Sequence, residues 1–148
     1  MLGLNAAFQR RVAFEKPLVI GAVNRAAESG GGVGGKGQGA YLAAAAARPG
    51  SVALAQFYGG DAGDALAEAL RKRAPGADEA LWVRTSANTR ICTTLVADGD
   101  ATEIVEPSGA VTASELDALR AALASRTAPG LLAAGSLPPG VPADFYST

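Results

Sequence analysis

Residues 30–39 read GGGVGGKGQG, seven glycines and one lysine placed directly before an alanine-rich helical pattern. Without Cβ atoms, main-chain N–H groups can approach a ligand closely, the helix behind them offers its positive end, and Lys36 adds a mobile full charge. A polyhydroxylated or anionic guest is the expectation. Two phosphate-binding patterns match formally. The spacing from Gly30 to Lys36 is that of a P-loop, but Gly37 stands where magnesium ligation needs a Ser or Thr hydroxyl. Gly32, Gly34 and Gly37 fit the dinucleotide fingerprint, but residues 21–29, GAVNRAAES, make a poor buried strand, and no acidic residue follows at a convincing strand end. A flexible glycine linker is the bland alternative.

Outward from this run, the chain reads as alternating elements. Residues 8–14 and, more weakly, 23–28 are strand-like, and residues 38–47 form a helix stopped by Pro49 and Gly50. Residues 51–58, SVALAQFY, read as a buried strand leading into GGDAGD and a second helix that Asp61 or Asp64 can cap. Leu66 and Leu70 supply the apolar face of that helix. Arg71, Lys72 and Arg73 lie at its C-terminal end, where the helix dipole favours positive charge. Residues 80–86, 89–98 and 101–106 are strand-like, the last two joined by the turn at Asp98, Gly99 and Asp100. Thr112 and Glu115 match a capping box ahead of a helix reaching about Ser125. Residues 131–134 read as a buried strand, and PADFYST, residues 142–148, as the opening of another helix. The pattern predicts an α/β core with a small β-sheet projecting from it.

Composition narrows the chemistry. The chain has 148 residues, 49% of them apolar, enough for one substantial core and not for two domains. A net charge of −1 and scattered basic residues argue against nucleic acid as a partner, and no apolar run approaches a membrane span. Histidine is absent, which removes Ser-His-Asp and HExxH chemistry and leaves acid–base work to carboxylates. The single cysteine, Cys92, excludes an internal disulfide and a thiolate zinc cluster, and it reads as a small apolar strand residue. With no targeting pattern, cytoplasm is the default expectation.

Seven segments, in order, resemble the PfkB-type carbohydrate kinases of the ribokinase-like superfamily, most of all the branch of 1-phosphofructokinase and tagatose-6-phosphate kinase. They are LNAAFQ (4–9), VNRA (23–26), GGKGQG (34–39), FYGGDAGDAL (57–66), NTRICTTLV (88–96), TEIVEPS (102–108) and GSLPPGVPADFY (135–146). The resemblance implies the N-terminal half of a doubly wound α/β domain over residues 1–148, with a projecting lid whose strands fall within about 8–29 and 88–106. It implies ATP-dependent phosphoryl transfer to a sugar or sugar phosphate, this chain carrying the acceptor-binding half. The catalytic base, in the family's GAGD segment, and the ATP and Mg2+ sites would then lie in polypeptide beyond residue 148, so no catalytic or metal residue is assigned and the chain alone is expected to be inactive.

For the acceptor, the resemblance points to Asn5, Gln9, Gly34, Gly35, Lys36, Gly37, Gln38, Arg90 and Ser136. Lys36 and Arg90 would meet the sugar's phosphate, since a guanidinium offers paired donors to it. Asp61 has a capping or sugar role. The usual NPALD opening appears as Asn5-Ala6-Ala7-Phe8-Gln9, an amide replacing the carboxylate that grips sugar hydroxyls, and the asparagine expected after GGKG is displaced by Gln38 and Gly39. Lid pairing in a homodimer is also implied. The alternative is a stand-alone sugar-phosphate binding or regulatory module.

Overall fold

The computed structural model describes residues 1–147. Two sheets divide the work. The core sheet is parallel and runs through β3 (Gln56–Tyr58) and β4 (Trp82–Arg84). Leu2 extends it, bridging Ala55 on one side and Ala133 on the other. Helices cover both faces. Leu54, Trp82 and Ala6 pack with Tyr41 and Leu42 of α1 (Lys36–Ala47) and with Leu66, Ala67 and Leu70 of α2 (Gly60–Arg73). Leu2, Leu4, Ala55 and Phe57 point the other way, onto Leu116 and Leu119 of α3 (Ala113–Ala124). The reversal between Leu54 and Ala55 is the period-two alternation of a strand with both faces buried.

The second sheet is the lid, four strands in the order β2-β1-β5-β6. β1 (Ala7–Ala13) is the continuation of the central core segment; it pairs antiparallel with β2 (Glu28–Gly34) and parallel with β5 (Arg90–Ala97). β6 (Asp100–Val105) returns antiparallel across a two-residue turn in which Asp98 and Gly99 both have positive φ, 52° and 82°. Those angles match the right-handed twist of the flanking strands.

Several expectations shift. The strand expected at 23–28 lies instead at Glu28–Gly34, so the second lid strand runs past residue 29 and the first half of the glycine run is sheet. Phe8 is the reason at Gly31, where a Cβ would fall within the Phe8 ring. α1 begins at Lys36, two residues ahead of the expected start. Only residues 56–58 of the 51–58 run form strand, and a 3₁₀ turn at Glu79–Leu81 takes the front of the 80–86 run. Residues 131–134 contribute one bridge and no strand, and Leu131 and Leu132 are 67% and 57% exposed because no described element packs over that edge. Residues 143–147 form successive turns in place of a helix, held by Phe145 N–H to Pro142 O and Ser147 N–H to Asp144 O; Thr148 lies outside the described residues. Asp61 and Asp64 do not cap α2, whose N-cap is Gly59 with no side-chain bond. Asp64 pairs with Arg84 in a bidentate contact at the surface, and the Arg84 hydrogen bonds hold its carboxyl below the usual range.

The capping box on α3 is as read, and Glu115 does more than close it. Its Oε2 accepts from Thr112 N–H at 2.8 Å and its Oε1 from Ser86 N–H at 2.6 Å, tying α3 to the loop after β4. Desolvation pushes this carboxyl up, but the bonds from Thr112 and Ser86 outweigh it, so it titrates below its ordinary value of 4.5. A carboxyl lowered by folding contributes stability that is fully present above that value and fades as pH falls through the folded pKa. Glu115→Gln is therefore expected to lower the urea midpoint at pH 7, with the gap to the parent closing at pH 3.

Candidate functional site

Asn5 sits where the central core segment becomes β1, and three groups meet on it. Its Nδ2 donates to Ser136 Oγ at 2.9 Å, Ser108 Oγ donates to its Oδ1 at 2.7 Å, and Arg90 Nη2 donates to its main-chain oxygen at 3.3 Å. Gly135, φ 95°, turns the chain beside Lys36; a side chain on Gly135 would start 3.7 Å from Lys36 Cβ. The sheet topology explains the meeting. Asn5 and Arg90 stand at the start of neighbouring parallel strands, in register at Ala7 and Arg90, and residues 133–136 end the next core segment on the same side. Ligands collect at this end in open parallel sheets.

A small cleft of about 30 Å³ opens beside them, lined in part by Asn5, Asn88, Arg90, Ser108 and Gly109. Arg90 is half-buried in it. Its Nε is shielded from solvent without a hydrogen-bond partner, and among the described residues no acidic side chain lies within 4.0 Å of its guanidinium. A sheltered cation without a counter-ion costs free energy unless an anion joins it. Lys36, exposed at the first position of α1, likewise has no ion pair among the described residues.

The other expected contacts fall elsewhere. Gln9 lies in the lid, its Nε2 donating to Thr94 Oγ1 at 2.8 Å. Gly34 ends β2 against Ala7, and Gly35, φ 96°, makes the turn into α1. Gly37 and Gln38 serve packing. A Cβ on Gly37 would strike Gly3 Cα, so glycine is required there by the contact of α1 with the central segment and not by a ligand's approach. Gln38 is fully buried; its Nε2 donates to Gly3 O at 2.6 Å and Gln56 Oε1 at 3.1 Å, which keeps a ligand from its side chain. Ser108 was not legible as a site residue. Its segment matched the kinase pattern, but a hydroxyl after Pro107 reads locally as a turn.

Amide, hydroxyl, guanidinium and ammonium groups form a set suited to a hydroxylated anion. Among the described residues no three His, Cys, Asp or Glu side chains converge. Nor is any helix among them long and apolar enough to cross a membrane.

No protein-family model and no curated protein matches the sequence. Solved structures do. Phosphofructokinase-2 from Escherichia coli, in complex with fructose-6-phosphate, superposes with a TM-score of 0.82 at 22% identity, over 95% of this chain and 46% of that one. A possible 1-phosphofructokinase from Thermotoga maritima matches at 0.71 and 26% identity, over 95% of this chain and 45% of that one. Ribokinase from Thermotoga maritima matches at 0.55 and 22%, over 72% and 35%. The chain thus has the ribokinase-like fold of the PfkB-type carbohydrate kinases and spans just under half the length of the phosphofructokinases it matches.

Proposed function

We propose that this chain is the acceptor-binding half of a hexose-phosphate kinase and that the phosphorylated sugar binds at the open end of the core sheet around Asn5, over the small cleft there. The observation that carries the reading is the sheltered, carboxylate-free guanidinium of Arg90 among neutral hydrogen-bonding groups. Arg90 presents paired donors to the sugar's phosphate and Lys36 adds a second cation from the α1 terminus. Asn5, Ser108 and Ser136 exchange their mutual hydrogen bonds for sugar hydroxyls.

The reaction is phosphoryl transfer to a hydroxyl of that sugar. These residues hold and orient the acceptor, a contribution through effective concentration. ATP and Mg2+, when bound, would supply the phosphoryl group and its charge neutralisation. Without a carboxylate base in the cleft, the chain by itself binds and does not turn over. We also propose that lid strands pair between two copies, since Ile104 and Val105 on the unpaired edge strand β6 are 52% and 54% exposed.

One set of titrations tests these points. Fructose 6-phosphate at about 100 times its dissociation constant is expected to stabilise the chain by about 2.7 kcal/mol, with fructose or inorganic phosphate weaker and ATP without effect. Sedimentation of the same samples should give twice the chain mass. No shift with the sugar phosphate overturns the site, ATP hydrolysis dependent on sugar overturns the inactivity, and a monomer overturns the lid pairing.

A further inference from the structure

The first turn of α1 lacks the usual means of being held. Its N-cap, Gly35, has no side chain to offer, no acidic residue lies in the turn, and Lys36 makes no ion pair among the described residues. Besides the backbone contact of Gly37 with Gly3, what ties the turn to the core sheet is one side chain pointing inward. Gln38 reaches Gly3 of the central segment and Gln56 of β3, and both glutamines are 0% exposed. Stability alone does not account for this pair. Gln38 Oε1 and Gln56 Nε2 are buried with no hydrogen-bond partner, a penalty that two apolar side chains of similar size would avoid. Directional bonding is what glutamines add there. Gln38 Oε1 also occupies the space in which a Cβ on Gly35 would stand, so the amide braces the positive-φ turn that leads into Lys36.

We infer that Gln38 and Gln56 are positioning residues, a buried amide clamp that sets the Gly35–Lys36 turn and so aims Lys36 at the anion bound by Arg90. The aiming depends on the proposed sugar-phosphate site; the clamping of the turn does not. The clamp acts through the backbone of Lys36 and touches no ligand.

The test uses Gln38→Met, which keeps length and loses both bonds, and Gln56→Met, which removes one bond and leaves that to Gly3. Limited trypsin digestion reads the turn, with cleavage after Lys36 scored against cleavage after Arg73 at the end of α2. Gln38→Met is expected to speed the Lys36 cut about fivefold with the Arg73 cut unchanged, and Gln56→Met less so, as local opening without global unfolding requires. The dissociation constant for fructose 6-phosphate is expected to rise about tenfold in Gln38→Met, and Lys36→Met is expected to cost less in that background than in the parent, the mark of coupled residues. Equal acceleration at both cuts, or no change at either, overturns the clamp. Additive effects of the Gln38 and Lys36 substitutions overturn the aiming. If the parent chain binds no fructose 6-phosphate, the site reading fails and the digestion still decides the clamp.

Discussion

Arg90→Ala is expected to weaken binding of fructose 6-phosphate about 10- to 150-fold, because hydrogen bonds to a charged group contribute roughly 1.5–3 kcal/mol and no other cation lines the cleft. The same substitution should leave the unliganded chain as stable as the parent, or more so. Arg90 gives one long bond, 3.3 Å to Asn5 O, and holds an unpartnered buried Nε with, among the described residues, no acidic side chain within 4.0 Å, so its removal relieves a desolvated charge. Arg90→Lys keeps the charge without the planar fork and is expected to fall between the two. Isothermal titration and urea unfolding of the three proteins check this. An Arg90→Ala chain that loses stability and keeps its affinity would make Arg90 a structural residue.

A large stability effect is expected at Gly37. Its Cα faces that of Gly3, and an added methyl would overlap Gly3 Cα while standing 3.2 Å from Ala134 O. All of these neighbours are backbone of the core segments, which cannot swing aside as a side chain can. Overpacking of this kind usually costs about 1–3 kcal/mol, and backbone against backbone puts Gly37→Ala at the upper end, about 3 kcal/mol. Gly39, one turn-step further along the same helix and exposed, has nothing within 4 Å of its Cβ position. Gly39→Ala should stabilise by about 0.5–1 kcal/mol through helix propensity alone. Opposite shifts in the urea midpoints of the two variants are the expected result; a stable Gly37→Ala chain would mean that α1 is not seated on the central segment.

The parts of the fold legible in the sequence are those in which one residue both signals and causes the structure. Asp98 and Gly99 allow positive φ and produce the hairpin; Thr112 and Glu115 carry the bonds of the capping box they spell. Leu66 and Leu70 recur at helical spacing and are fully buried. What was not legible depends on partners distant in sequence. Glycine weakens strands, yet residues 30–34 are strand, and at Gly31 the Phe8 ring takes the space a side chain would need. The kinase resemblance puts Gln38 beside a ligand; only its meeting with Gly3 and Gln56 makes it interior. In the candidate site, Asn5, Arg90 and Ser136 were readable from the kinase-like segments and come together. Ser108 was not, since its role exists only once Asn5 is beside it.

The strand that begins as the middle of the core leaves it at Asn5 to become the middle of the lid, while Arg90 opens the lid strand alongside and Ser136 stays with the core. Anything gripped by all three is fastened to both slabs at once. The angle between them then ceases to be a free variable, and a swing of the outer slab registers as strain on the guest.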